Sequence, residues 1–270
     1  MINYVTYVIL SFLILIFFSK ISYKLNLLDI PNKRKKHYVP TPFTGGLAMS
    51  LIYITGILLF GIKSQELNLI LSISFLIAIV GFLDDKYELN IGSKLSLQII
   101  PIIYLITIKD LNLIQIGYYD YFHLDLNSFS APFTILSVIF LINSCNYFDG
   151  LDGTLSFASI SVLAILYFVI PDEDIKKFLI VILIPLLIFL CFNFSILKLP
   201  KLFLGDSGSL LIGFIIAFTL IYISNEGILH PILLAWSIVI FVYEFISVNF
   251  IRLINKDVYE NTIEPFLNRA

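Results

Sequence analysis

Nine apolar runs, at residues 3–19, 45–62, 67–83, 94–108, 132–148, 154–170, 177–197, 207–224 and 230–254, occupy most of this 270-residue chain. Each is long enough, or nearly so, to span a membrane as a helix, although several fall short of the ~20 residues that a hydrocarbon core requires. In lipid every backbone N–H and C=O must be paired within the protein, so runs of this kind form helices rather than open strands. The expectation is an all-α, polytopic transmembrane bundle of about nine spans. Composition agrees: 59% of residues are hydrophobic and 13% charged, with a mean hydropathy of +0.97, more apolar surface than a water-soluble domain can hide. The first run follows no basic segment and precedes no small-residue cleavage site, so it reads as a retained helix. No internal repeat breaks the chain, and residues 1–270 read as one domain.

Lysine and arginine give the orientation. With the N-terminus outside, Lys20, Lys24, Lys33, Arg34, Lys35, Lys36, Lys86, Lys94, Lys198, Lys201, Arg252, Lys256 and Arg269 fall on the cytoplasmic side, and only Lys63, Lys109, Lys176 and Lys177 outside. Cytoplasmic loops carry the excess of positive charge, so the C-terminus is expected in the cytoplasm. No basic run interleaved with aromatics points to nucleic acid. Cys145 and Cys191 lie inside apolar runs and read as core fillers, without disulfide or metal spacing. The outer segment 109–131, with Tyr118, Tyr119, Tyr121, Phe122 and Phe129, reads as an interfacial hairpin at the headgroups. His123 and His230 fall outside as well and read as surface residues without partners.

Polar residues are informative where polarity is expensive. Asp84 and Asp85 end the third run, Asn143, Asn146, Asp149 and Asp152 end the fifth, and Asp206 opens the eighth. The topology puts all three groups at the cytoplasmic face. Carboxylates at a helix C-terminus oppose its dipole and adjacent ones repel, costs that a cation would relieve. Solvated interface residues are the plainer reading of Asp84 and Asp85. The spacing of three from Asn143 to Asp152 fans round one side of a helix, and a polar packing seam is the alternative to a functional site there. Gly150 and Gly153 loosen the backbone. Asp206 and Ser207 stand where an N-cap belongs, yet a helix start also attracts phosphate, and Gly205 and Gly208 permit a ligand to approach the backbone. The loop 29–46 is the most basic segment, suited to holding topology or to binding a polyanionic headgroup; Gly45 and Gly46 equally suit helix packing. Carboxylates, amides and a basic loop suggest Mg²⁺ with phosphates, since Mg²⁺ is shared between a few carboxylates and substrate phosphates.

These motifs resemble those of the polyprenyl-phosphate N-acetylhexosamine-1-phosphate transferases, of glycosyltransferase family 4 type, the superfamily that includes the translocase making the first lipid-linked peptidoglycan precursor. The matching residues are Arg34-Lys35-Lys36-His37 through Pro40, Pro42 and Gly45-Gly46; Asp84-Asp85; Lys94 with Gln98; Asn143-x-x-Asn146-x-x-Asp149-Gly150-Leu151-Asp152-Gly153; and Phe203-Leu204-Gly205-Asp206-Ser207-Gly208-Ser209.

The resemblance implies a reaction: a polyprenyl (undecaprenyl) phosphate attacks the β-phosphate of a UDP-N-acetylhexosamine, releasing UMP and initiating a cell-surface polysaccharide or cell-wall glycan. It implies an inner-membrane protein with its site facing the cytoplasm, in contact with membrane lipids and either alone or as a homodimer. By motif match, Asn146 and Asp206 bind Mg²⁺, with Mn²⁺ as the substitute. Asp84 is the base on the lipid phosphate, supported by Asp85, and Lys94 faces the diphosphate. Arg34, Lys35, His37, Asn143, Asp149, Gly150, Leu151, Asp152, Phe203 and Arg269 contribute to substrate binding, with Phe203 stacking on uracil. Two departures stand out. Glu88 replaces the Asp, Asn or Lys usual three residues after the second aspartate. A histidine motif and further helices are expected after the ninth run, and Arg269 matches the arginine before those histidines; the domain reads as lacking them. An inactive binding or scaffold homologue is therefore the alternative. Glu244, in the ninth run, is the one acid that would suit an ion-transporting reading instead.

Overall fold

The structure is a computed structural model, and it describes residues 2–31, 39–119 and 121–262, the last eight of these without their side chains. Helices dominate it: α1 (Ile2–Lys24), α2 (Gly45–Phe60), α3 (Gln65–Tyr87), α4 (Ile91–Lys109), α5 (Ser130–Phe148), α6 (Thr154–Val169), α7 (Glu173–Asn193), α8 (Gly205–Asn225), α9 (Pro231–Ser237) and α10 (Val239–Thr262). Every apolar run expected to be helical is helical. The count of nine spans is not reproduced by length and hydropathy. Among the described residues six helices are long and apolar enough to cross a membrane, and a seventh if α9 and α10, bent by 56° at their junction, form one broken span. The reason is geometric: α2 and α6 have 16 residues each, about 24 Å at 1.5 Å per residue. The chain is a multi-pass membrane protein.

α2 nevertheless runs the full height of the bundle. At its start Gly45 and Gly46 donate to the Phe203 and Leu204 carbonyls. At its far end Asn3 donates to the Leu59 carbonyl, and the Asp174 carboxylate, at the start of α7, accepts from the Lys63 and Ser64 amides at 2.6 and 2.8 Å. The two ends of the molecule are thereby distinguished. One carries Asp84, Lys94, Asn146 and Asp206. The other carries Lys63, Lys109, Lys176 and Lys177.

α8 is the central helix, buried along almost its whole length and packed on α2, α3, α5 and α6. All transmembrane helices are greasy, so hydrophobicity alone does not choose a centre; small residues do, because they let backbones meet. A Cβ on Gly46 of α2 would lie 2.0 Å from the Gly208 amide nitrogen, and one on Gly81 of α3 would lie 2.4 Å from the Asp206 carbonyl and the Ser207 nitrogen. One on Gly213 would lie 2.8 Å from Ile142 Cα of α5. The open question at Gly45 and Gly46 thus resolves toward helix packing. Gly205 and Gly208 likewise admit the protein's own chain: Gly205, at φ +71°, sits against the Phe43 carbonyl and Asp85 Oδ2.

Two short hairpins complete the fold. Leu28 and Asp29 (β1) pair with Thr41 and Pro42 (β2), closing the base of the basic loop. Gln115–Tyr119 (β3) pairs with Phe122–Asp125 (β4), in agreement with the hairpin expected there. This second hairpin corrects the reading of His230, which does have partners. The His230 ring caps α9 by accepting from the Ile232 amide at 3.3 Å, and its Nε2 lies 3.1 Å from the Tyr118 carbonyl. Cys145 is buried and Cys191 partly exposed, both as free thiols.

Two stability measurements test this packing. Gly46→Ala drives a methyl into the Gly208 backbone and should lower the melting temperature in detergent, an overpacking cost of about 1–3 kcal/mol. Gly92→Ala, whose Cβ would meet only Asn90 Oδ1 at 3.5 Å, should not. Glu88 ends α3 in the left-handed region at φ 49°, where Asn is at home and Glu is strained. Glu88→Asn should therefore stabilise the protein by a few tenths to about 1 kcal/mol; a lower melting temperature would contradict this.

Candidate active site

Four helices, α3, α4, α5 and α8, bring charged and amide side chains together at one end of the bundle. Lys94, one turn into α4, places Nζ 2.5 Å from Asp84 Oδ2 and 2.8 Å from Asp206 Oδ2. Asn146, at the end of α5, donates to Asp206 Oδ1 at 2.9 Å and to Ser209 Oγ at 2.8 Å. One carboxylate, Asp206, is therefore gripped through both oxygens. Asp84 is fixed by its own chain, because the turn after α3 folds back on it. The Glu88 amide donates to the Asp84 carbonyl at 2.8 Å and the Leu89 amide to Asp84 Oδ1 at 3.0 Å, which leaves Oδ2 for Lys94. Asp85 turns to α8 and accepts from the Ser207 amide at 3.3 Å.

This contact settles the local role of the α8 start. α8 begins at Gly205 after Leu204, with no side-chain cap. Asp206 is thus not the N-cap that its sequence position suggests; it lies in the first turn, where a negative charge is favoured by the helix dipole, and spends its oxygens on Lys94 and Asn146. The Ser207 amide, a free donor of that first turn, goes to Asp85.

The fan from Asn143 to Asp152 is also shorter than its spacing suggests. α5 ends at Phe148, so only Asn143 and Asn146 share the helix. Asp149 follows as its C-cap residue, and Asp152 lies in the connection to α6, where Gly153 adopts φ 76°. Asp152 instead faces the α7–α8 connection: Lys201 Nζ lies 2.6 Å from Asp152 Oδ2. Lys201 also stands 5.1 Å over the Phe203 ring, and Asn193 at the end of α7 donates to the Leu202 carbonyl at 3.1 Å. Asp152, Lys201 and Phe203 form a second group beside the acidic centre. Asp149 has a perturbed proton affinity: burial, with the negative charges of Asp206 and Asp152, pushes its carboxyl up to about 7. Gly150 and Leu151 are exposed in the same connection. Arg34, Lys35, His37 and Arg269 lie outside the described residues.

Sequence reasoning left out three residues that the structure adds to this end. Lys201 and Asn193 carry no motif signal strong enough to choose them over other cytoplasmic polar residues. Arg252 of α10 donates to the Tyr147 hydroxyl at 3.1 Å and lies 4.9 Å over its ring; only the fold brings α10 beside α5. Glu244 is partly buried on α10. Among the described residues no three His, Cys, Asp or Glu side chains gather as a self-sufficient metal cage. The donor set is one carboxylate flanked by an amide, the kind that holds Mg²⁺ only together with a substrate's phosphates. A hollow lined by Ile2, Asn3, Tyr4, Phe60 and Lys177 lies at the opposite end of the bundle, away from this chemistry.

Comparison with known proteins meets the same residues. A family model described as glycosyl transferase family 4 matches residues 67–224, a stretch that contains Asp84, Lys94, Asn146 and Asp206. An undecaprenyl-phosphate alpha-N-acetylglucosaminyl 1-phosphate transferase of Escherichia coli O157:H7 is 27% identical over 252 residues, covering 89% of this chain and 68% of its own length. A protein of the same name from Yersinia pestis is 26% identical over 241 residues, covering 87% of this chain and 66% of its own. A probable undecaprenyl-phosphate N-acetylglucosaminyl 1-phosphate transferase of Bacillus subtilis is 29% identical over 204 residues, covering 74% of this chain and 56% of its own. The chain thus spans about two thirds of the first two relatives and little more than half of the third. Since the family model covers more than half of the chain, this protein belongs to glycosyl transferase family 4.

Proposed function

We propose that this chain transfers an N-acetylhexosamine-1-phosphate from a UDP-sugar to a polyprenyl phosphate at the cytoplasmic face of the inner membrane. The observation that carries the proposal is the acidic centre: Asp84 and Asp206, from two helices, held within 2.8 Å of one ammonium, with Asn146 on the second carboxylate. The names of the relatives support the substrate class, and the excess of lysine and arginine in the segments on the Asp84 and Asp206 side supports the cytoplasmic face.

In this reading an oxygen of the lipid phosphate bonds to the β-phosphorus of the donor. The bond from that phosphorus to the bridging oxygen breaks, and UMP leaves with the oxygen. Both reactants are anions, so the barrier is chiefly one of charge and position. Asp206 and the Asn146 amide oxygen would hold Mg²⁺, which supplies charge neutralisation for the diphosphate when bound. Lys94 adds a second positive charge within reach of the same oxygens. Asp84, held by the Leu89 amide, orients or accepts a proton from the lipid phosphate; that ester is largely ionised near neutral pH, so orientation is its larger task. Asp85 fixes α3 against the first turn of α8. Asp152, Lys201 and Phe203 form the nucleotide side, where Phe203 offers its ring to uracil and the carboxylates of Asp149 and Asp152 accept hydroxyl or imide protons. The basic loop closed by β1 and β2 suits a phosphate-bearing ligand.

UMP release from UDP-N-acetylglucosamine and undecaprenyl phosphate, followed by chromatography in the presence and absence of Mg²⁺, tests the proposal. Asp206→Asn and Lys94→Met should each lower kcat by about 10²–10³-fold, the range for losing one preorganised charge-stabilising group. Wild-type rates in Asp206→Asn would end this reading, and purified, folded chain that releases no UMP would favour the scaffold alternative. The pH profile gives a separate check. With its carboxyl raised to about 7, Asp149 is mostly protonated below that pH and ionised above it. This raised affinity for a proton favours the folded state at acid pH, a contribution lost as pH rises through about 7. If the ionised form serves substrate, kcat/KM falls with a one-proton slope below pH 7, and Asp149→Asn flattens that limb; a limb that persists in Asp149→Asn belongs to another group.

A further inference from the structure

A second polar layer lies one turn deeper than the acidic centre. Gln98 is one turn beyond Lys94 on α4, and Asn143 one turn before Asn146 on α5, so each lies on the same side of its helix as its charged neighbour. The Asn143 amide nitrogen donates to the Gln98 Oε1 at 3.1 Å and to the Ile139 carbonyl, in its own helix, at 2.8 Å. An amide nitrogen has two protons, and both are thereby used. The Asn143 side chain is partly exposed, and among the described residues nothing donates to its oxygen. Gln98 is wholly buried, and its own amide nitrogen has no partner. That orphan is informative. Turning the Gln98 amide over would set its N–H₂ against the N–H₂ of Asn143, and turning the Asn143 amide over would set its oxygen against the Ile139 carbonyl. Each amide is locked in one sense, at the cost of an unsatisfied group in the interior.

We propose that Asn143 is an acceptor-only recognition group, and that Gln98 is the positioning residue that makes it so. It cannot offer an N–H to a phosphate oxygen. It takes an O–H or N–H from the ligand, the chemistry of a sugar hydroxyl or acetamido group and equally of water carried by a divalent cation. The inference rests on the transferase reading above and deepens it. It assigns the deeper layer to discrimination by a hydrogen-bond donor, beside an outer layer that handles charge.

Calorimetric binding of UDP and of UDP-N-acetylglucosamine to the full chain in detergent, with Mg²⁺ present, tests this without turnover. Asn143→Ser keeps an oxygen acceptor, because its one hydroxyl proton can go to the Ile139 carbonyl four residues back, and should bind UDP-N-acetylglucosamine more tightly than Asn143→Ala, which should lose about 5–10-fold, the worth of one hydrogen bond. A loss confined to the sugar nucleotide assigns the ligand donor to the sugar. An equal loss for UDP, accompanied by weaker Mn²⁺ binding in electron paramagnetic resonance, assigns it to cation-bound water. Binding by Asn143→Ser no tighter than by Asn143→Ala would overturn the proposal, because the retained oxygen acceptor would then contribute nothing. Gln98→Leu should weaken sugar-nucleotide binding, and Gln98→Glu, which still accepts from Asn143, should restore it; unchanged binding in Gln98→Leu overturns the positioning role. Melting temperatures of the same variants separate these losses from unfolding. Wild-type chain that binds neither nucleotide sinks the transferase reading itself, whereas normal wild-type binding with no effect at Asn143 sinks this inference alone.

Discussion

Backbone-to-backbone contact between α8 and its neighbours is the constraint on which the rest depends. Gly46 meets Gly208, and Gly81 meets the peptide between Asp206 and Ser207, with no room for a single Cβ at either place. Helices in lipid gain little from hydrophobicity when they associate, so such close approach, with the dispersion contacts it multiplies, has to hold the bundle. The Gly81 contact does more than pack. It puts the end of α3 beside the start of α8, so that Asp84 and Asp85 arrive within reach of Asp206.

Like charges brought together in this way need compensation, and two neutralising devices are present. The Lys94 ammonium stands between Asp84 and Asp206, and the exposed amides of the α8 first turn face Asp85. Neither is a passive charge balance. Lys94 sits on a short helix entry anchored by Asn90, whose side chain accepts from the Ser93 amide at 2.9 Å, so its ammonium is delivered from a fixed point. The result is a centre in which negative charges are held together at the cost of internal repulsion. Strained or frustrated arrangements of this kind persist where the surrounding structure over-determines them, and they cluster at functional sites.

Much of this was legible in the primary structure. Apolar runs gave the helices, since a backbone in lipid has few alternatives. Asp84, Asn146 and Asp206 stood out because acids and amides are costly there. The failures share a cause, which is that local spacing does not say where a helix stops or what fills its end. A period of three carried the Asn143–Asp152 motif past Phe148, where the helix ends, and cap preferences assigned Asp206 a role that no side chain fills at Leu204. His230 looked solitary because Tyr118, its partner, is more than a hundred residues away. Lys201 and Arg252 signalled only orientation, and Asn193 matched no motif.

The sequence by itself determined a greasy helical bundle, a clustering of acids and amides at one end, and the glycines that such a bundle needs. It could do so because hydropathy, charge placement and the absence of a Cβ are properties of single residues and short runs. The tertiary structure alone decided that Gly46 and Gly81 both seat the same central helix, that one lysine bridges acids from two others, and that the Asn143 amide has no proton left to give. Those facts are distances between residues far apart in the chain, and a distance exists only once the helices have packed.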